Sequence, residues 1–135
     1  MQEKYYEEII RLAKKAYKKG EIPVGAIVVK DGKILAKAYN MVEKDKNATL
    51  HAEILAIKKA SKKLKNWRLN GCEMYITLEP CDMCTGAIKL SRISKVYYMV
   101  KKNDNNNSSQ EYIHLSQYSD EFKKMIQDFF SEIRR

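Results

Sequence analysis

With 135 residues, 26 Lys and Arg, 17 Asp and Glu and a formal net charge of +9 at pH 7, the chain suits one domain, 1–135, and is too short for two. Three cysteines in a chain of this size predict reduced thiols in a cytoplasmic protein. The N-terminus shows no leader pattern, and no apolar run reaches the ~20 residues of a membrane span, so neither export nor a membrane helix is predicted. The charge favours a polyanionic partner such as nucleic acid, although a lysine-rich surface without such a partner has the same balance.

The first predicted element is a helix. Apolar residues recur three and four positions apart from Glu3 to Lys19, which is the pattern of a helix with one buried face. Gly20 follows at the position where a residue in the left-handed conformation commonly ends a helix.

A β-hairpin and a loop are predicted next. The apolar run 24–29 and the segment 33–39 flank Asp31-Gly32, a dipeptide that fits a two-residue hairpin turn. The polar segment 40–50 shows no hydrophobic period, which indicates a loop between the hairpin and the following helix.

Helices and strands alternate through the rest of the chain. Residues 51–64 have helical spacing, and either Asn47 or Thr49 could cap their start. The later predictions are a strand over 73–78, a helix from Pro80 to about Ser91, a strand over 94–100, a surface loop over 101–110, a last strand within 111–119 and a helix over 120–135. This alternation predicts an α/β fold with parallel strands, right-handed crossovers and helices on both faces of the sheet.

Two short motifs carry candidate chemistry, and each follows a loop. His51-Ala52-Glu53 begins one predicted helix, and Pro80-Cys81-Asp82-Met83-Cys84 begins the next. Cys81 and Cys84 are three positions apart, so on a helix their Cβ atoms lie about 5–6 Å apart on one face and can share one metal ion. If the two helix starts converge, one imidazole and two thiolates can hold zinc with a fourth position open, which is typical of a catalytic site.

Glu53 is the candidate for proton transfer at such a site. Zinc lowers the pKa of a coordinated water molecule to about 7, and a neighbouring carboxylate that is not a ligand can move the protons.

One alternative is a closed structural zinc site with Cys72 as the fourth ligand, which would leave Glu53 without a task. Another is coincidence between buried cysteines and a capping histidine. Cys72 alone is interpreted as core, and His114 as a surface side chain.

His-x-Glu followed by Pro-Cys-x-x-Cys is the signature of zinc nucleobase deaminases. Around this signature, the segments EIPVGAIVVKDG, NWRLNGCEMYITLEPC, MCTGAI and SRISKVYY make the chain resemble the bacterial tRNA adenosine deaminases of the cytidine deaminase-like superfamily. The resemblance implies a three-layer fold with a central mixed sheet of about five strands. It also implies a homodimer, one Zn²⁺ per subunit, and conversion of the wobble adenosine of a tRNA anticodon loop to inosine.

The resemblance also implies roles for individual residues. His51, Cys81 and Cys84 would bind zinc, and Glu53 would transfer protons. The substrate pocket would include Asn40, which would hydrogen-bond the flipped nucleotide, together with Pro23, Val24, Leu78 and Ala52. Nucleic-acid contacts would come from Lys101, Lys102, Phe130 and Arg134. The alternatives are that Asn40 only ends a strand, that Pro23 and Val24 are plain core and that the lysines are solvated surface.

One region departs from the family pattern. Lys101-Lys102 stands where the tRNA enzymes usually carry Arg-Asp, and the short 103–110 replaces a glycine-containing segment. This departure motivates an alternative function, deamination of a free nucleobase, a nucleoside or single-stranded DNA. A third hypothesis is a non-catalytic nucleic-acid-binding subunit, against which the intact Glu53 argues.

Overall fold

The architecture comes from a computed structural model that describes residues 3–101, 111–115, 123–125, 127, 128 and 131. In chain order the helices and strands are α1 (Glu3–Lys18), β1 (Gly25–Lys30), β2 (Lys33–Tyr39), α2 (Val42–Asp45), α3 (Ala52–Leu64), β3 (Cys72–Leu78), α4 (Asp82–Leu90), β4 (Lys95–Val100) and β5 (Glu111–His114). Residues 123–125, 127, 128 and 131 are also helical, in the region of the predicted last helix.

The strands form one mixed sheet in the order β2-β1-β3-β4-β5. β1 is antiparallel to both of its neighbours, whereas β3, β4 and β5 pair in parallel. All strands except β1 therefore point the same way, and the predicted five-stranded mixed sheet is confirmed. The turn of the hairpin is also confirmed, because Asp31 and Gly32 both have positive φ, 52° and 76°, as a two-residue turn of the primed type requires.

Helices cover both faces of the sheet. Along β1, Ile27 and Val29 pack against α1, whereas Ala26 and Val28 pack on the other face with α3 and α4, as the alternation of side chains along a strand dictates. On α3 a stripe of fully buried small residues faces the sheet, namely Ala52, Ala56 and Ala60. Their four-residue spacing places them on one side of the helix, so its axis lies close to the strands.

The segment predicted as a loop, 40–50, contains a short helix. α2 occupies only four of its residues and buries none of them, which explains why hydrophobic periodicity could not reveal it. Residues 102–110 of the predicted surface loop 101–110 and the end of the last predicted strand, 116–119, lie outside the described residues. Every helix in the described part of the chain is too short or too polar to cross a membrane.

Gly25, the first residue of β1, marks the closest approach of α1 to the sheet. A Cβ built there would lie 2.7 Å from Leu12 Cβ and 2.9 Å from the Ala13 nitrogen, and it would also overlap the Ile9 carbonyl oxygen. Two of these three neighbours are backbone atoms, which cannot move without displacing the helix. Any larger residue at this position would collide with α1, so only glycine fits here.

Replacing Gly25 by alanine is expected to destabilise the protein by about 1–3 kcal/mol, the usual cost of overpacking a core. Urea unfolding would measure this as a lower midpoint. Gly86, in the middle of α4, is the matched control because a Cβ there meets nothing within 4 Å. Gly86→Ala should raise stability by about 0.5–1 kcal/mol. Equal midpoints for the two variants would contradict the close approach of α1 to β1.

Candidate active site

The N-terminal ends of α3 and α4 meet and bring three metal-binding side chains together. His51 and Cys81 occupy the residue just before each helix, with extended backbone conformation, and Cys84 lies in the first turn of α4. His51 Nδ1 is 3.7 Å from Cys81 Sγ and 3.4 Å from Cys84 Sγ. All three ligand atoms lie within 4.8 Å of one another, so the convergence of the two motifs is confirmed.

The spacing of these atoms suits tetrahedral zinc. Zn–S bonds of about 2.3 Å and Zn–N bonds of about 2.05 Å at tetrahedral angles place nitrogen and sulfur ligands roughly 3.5–3.6 Å apart. The two observed separations, 3.7 and 3.4 Å, bracket this value. One imidazole and two thiolates at this spacing can hold the ion and leave a fourth position open.

Cys72 is not a fourth ligand. It is the first residue of β3, whereas the two cysteine ligands follow the opposite end of that strand, at Leu78, which is roughly 20 Å away at ~3.3 Å per residue. Its side chain is fully buried in the core formed with α3 and α4. The alternative of a closed structural zinc site that uses Cys72 is therefore wrong.

The surroundings of Cys84 require a cation if its sulfur is to be a thiolate. Burial raises the pKa of the Cys84 thiol well above its usual value, and the nearby Glu53 and Cys81 raise it further. A bound divalent metal reverses this tendency because a coordinating thiol is deprotonated. The partial positive charge at the start of α4 acts in the same direction.

A cavity of about 660 Å³ opens beside the three ligands. Six of the residues predicted from sequence line it, namely Val24, Asn40, His51, Glu53, Leu78 and Cys81. Glu53 is only 4% exposed and lies in the first turn of α3, outside the group of ligand atoms. A carboxylate therefore stands next to the metal site without belonging to it.

Two predicted pocket residues do not line the cavity. Pro23 and Ala52 are buried, but neither is among the lining residues. The Ala52 side chain packs in the core on the α3 face of the sheet. Roles for these two residues in substrate binding stay predictions.

Asn40 caps α3, a task that the sequence had suggested for Asn47 or Thr49. Its Oδ1 accepts a hydrogen bond of 2.7 Å from the Ala52 N–H, and its own N–H donates to the Val24 carbonyl. The Asn47 Oδ1 instead accepts hydrogen bonds from the backbone N–H and hydroxyl of Thr49. The capping prediction is wrong because the cap comes from a residue twelve positions away from its helix partner.

Sequence reasoning missed two buried acids in the cavity wall. Glu21 and Glu79 are 2% and 3% exposed, and both line the cavity. Glu21 is the first residue of the recognised segment EIPVG, and Glu79 directly precedes PCDMC; this proximity was the only available signal. The remaining lining residues that were not predicted are Lys19, Gly20, Ile22, Val42 and Glu43.

Of the residues predicted to contact nucleic acid, the structure describes Lys101 alone, which is exposed directly after β4. Lys102, Phe130 and Arg134 lie outside the described residues. His114 is exposed as expected, although its ring also stacks on Tyr98 with centroids 5.0 Å apart.

A three-layer α/β fold with a three-ligand zinc site at two helix starts defines the class of zinc-dependent deaminase domains. Comparison with known proteins makes the assignment specific. Residues 1–100 match the zinc-binding region of cytidine and deoxycytidylate deaminases, and the chain belongs to this family.

Individual relatives point to particular members of the family. A tRNA-specific adenosine deaminase of Aquifex aeolicus is 54% identical over 99 residues, which are 73% of this chain and 66% of that protein. The match therefore covers slightly less than two thirds of the relative.

Two solved structures share the fold. One comes from a study of A-to-I editing by tRNA:A34 deaminases at the wobble position of transfer RNA. It is 29% identical with a TM-score of 0.78, over 84% of this chain and 98% of that one. The other is a guanine deaminase from Bacillus subtilis, 28% identical with a TM-score of 0.72 over 92% of both chains.

Proposed function

We propose that this protein hydrolyses adenosine in RNA to inosine and ammonia, and that its substrate is the wobble adenosine of a tRNA anticodon loop. The observation that carries the proposal is the buried Glu53 carboxylate beside the three-ligand site in a cavity that Asn40 also lines. The identity to a tRNA-specific adenosine deaminase over 73% of the chain supports the choice of substrate.

In this proposal His51, Cys81 and Cys84 hold one Zn²⁺, which when bound supplies Lewis-acid activation of water at neutral pH. Glu53 takes a proton from the attacking water and delivers it to the ring nitrogen next to C6. It then takes the remaining proton from the hydroxyl added at C6 and delivers it to the amino group, so that the C6–N bond breaks, the C6 carbonyl forms and ammonia departs. The low exposure of Glu53 keeps these transfers away from bulk solvent.

Asn40 orients the substrate through its amide NH₂. Because its Oδ1 is held by the Ala52 N–H, the NH₂ is the part of the amide left to donate to an acceptor on the nucleotide. Val24 and Leu78 supply apolar walls from the start of β1 and the end of β3. These roles agree with a flipped-out base that enters the cavity edge first.

Substitutions at Asn40 separate its two roles. Asn40→Asp keeps an oxygen for the Ala52 N–H, so the free energy of unfolding should change little, whereas Asn40→Ala should cost about 1 kcal/mol. Both variants lose the NH₂ donor, and kcat/KM should fall about 10- to 100-fold in each. Full kcat/KM in Asn40→Asp would show that Asn40 is a helix cap only.

We also propose that the protein acts as a cytoplasmic homodimer with one zinc ion per subunit. Met83 and Leu90 lie on one side of α4, seven positions apart, and both are exposed, Leu90 by 70%. A second copy would cover these apolar side chains. Sedimentation at micromolar concentration should give twice the mass of the chain, and a monomer at that concentration would refute the dimer.

The substrate is tested by incubating the purified zinc protein with a tRNA anticodon stem-loop, the matching DNA hairpin, adenosine, cytidine and guanine. Inosine should form in the RNA, and the rate should fall steeply with added salt because phosphate contacts release counterions. Product from the free compounds but not from the RNA would refute the proposal.

Deamination of a free nucleobase or a nucleoside is the second candidate function. It is supported by the fold shared with a guanine deaminase along 92% of both chains, and by Lys101-Lys102 in place of the usual pair. The same incubation distinguishes the two candidates, because this one requires conversion of free guanine, cytidine or adenosine.

A further inference from the structure

Glu21 is a buried acid whose bonds join two walls of the cavity. It follows α1 and is 2% exposed. Its Oε1 accepts a hydrogen bond from the Glu43 N–H at 3.1 Å, and its Oε2 accepts one from the Lys44 N–H at 3.0 Å. Both donors are backbone groups in the first turn of α2, so one carboxylate pairs with two N–H groups that have no partner within the helix.

α2 has few other means of holding its position. It is four residues long, it buries no side chain, and Met41 before it provides no side-chain cap. A helix this short is not stable by itself, and without a fully buried residue it gains little from apolar packing. The loop 40–50, which contains α2, is closed by backbone hydrogen bonds such as the one from the Met41 N–H to the Leu50 carbonyl. Glu21 ties this loop to the segment that follows α1.

Glu21 thus joins two segments that both line the cavity. Gly20, Glu21 and Ile22 line it from the connection between α1 and β1, and Val42 and Glu43 line it from α2. Ile22 is 39% exposed, which places an apolar side chain at the entrance. A nucleotide that is part of a polymer must pass this entrance while its phosphates stay outside.

We propose that Glu21 is a positioning residue that fixes the entrance of the cavity and thereby sets the affinity for a nucleotide held within RNA. The inference rests on the proposed RNA substrate and deepens it. Glu21 touches none of the three ligand side chains in the hydrogen bonds described, so its contribution is to binding and not to proton transfer.

The test is Glu21→Gln, which keeps the size of the side chain but replaces one acceptor oxygen by an NH₂ that cannot accept either N–H. KM for the anticodon stem-loop should rise about tenfold, while kcat stays within about twofold of the parent enzyme. Zinc content should not change. Amide hydrogen exchange at Glu43 and Lys44 should become at least about tenfold faster, since one of the two bonds is lost.

Asp45→Asn is the matched control because it removes one negative charge from the same short helix without touching Glu21 or the cavity lining. It should alter neither KM nor the two exchange rates. If Glu21→Gln does not fold, Glu21→Asp, which draws the carboxylate back by one methylene, should give the same pattern with a smaller rise in KM.

A lower kcat at unchanged KM, a loss of zinc, or unchanged exchange at Glu43 and Lys44 would overturn the role of Glu21. The exchange measurement needs no substrate, so it tests the anchoring of α2 independently. If the parent protein does not deaminate RNA, the proposed function fails whatever the exchange rates show.

Discussion

Glu53→Gln is expected to lower kcat for deamination by about 10²–10⁴-fold, the range that general acid–base groups contribute, while the protein keeps its zinc and its fold. Glutamine fills the same volume but cannot accept a proton from water or return one to the leaving amino group. The measurement is a single-turnover assay on the anticodon stem-loop, with zinc determined on the same sample.

Asp82→Asn is the control for this substitution. Asp82 is also an acid in the first turn of a helix that bears a ligand, but it is exposed on α4 and does not line the cavity. It should retain the parent rate. If Glu53→Gln turned over as fast as the parent protein, another group would have to carry the protons and the mechanism would be wrong.

Cys84→Ser is expected to abolish stoichiometric zinc binding and, with it, activity. The hydroxyl of serine is a far weaker ligand than a thiolate, and Cys84 is fully buried between the other ligand atoms and Glu53. The parent protein should carry about one zinc ion per chain and the variant far less, as measured by elemental analysis after dialysis.

Thermal unfolding provides the second measurement on the same variant. Ligand that binds only the folded state stabilises it, so the parent protein should lose stability on chelation and Cys84→Ser should not respond. Cys72→Ala is the control, because that thiol is buried at the far end of β3 and should leave zinc content unchanged. Full zinc occupancy in Cys84→Ser would contradict the ligand assignment.

The sequence predicted the metal ligands more completely than it predicted the residues that line the cavity. Cys81 and Cys84 are spaced for one helix face, and His51 precedes a helix as Cys81 does, so three ligands could be placed from local patterns and a familiar signature. The burial of Glu53 could not be derived that way, because it depends on how α3 and α4 pack side by side on one face of the sheet.

The elements missed from the sequence depend on contacts between distant residues. α2 has no hydrophobic period to reveal it, and its anchor, Glu21, lies 22 and 23 positions from the N–H groups that it binds. The cap of α3 comes from Asn40, twelve positions before Ala52. Local propensity favours Asn47 or Thr49 for that task, and only the path of the chain after β2 brings Asn40 to the helix end.

The alanine stripe of α3 has a consequence for how the substrate range of this protein could diversify. Ala52, Ala56 and Ala60 are in full contact with the sheet, so a larger side chain at any of them would lift α3 and carry His51 and Glu53 away from the two cysteines. Close packing of this kind does not limit side-chain size at Ile22, Val42 and Glu43, which are not fully buried. Libraries for altered base preference should therefore vary the latter three positions and keep the alanines fixed.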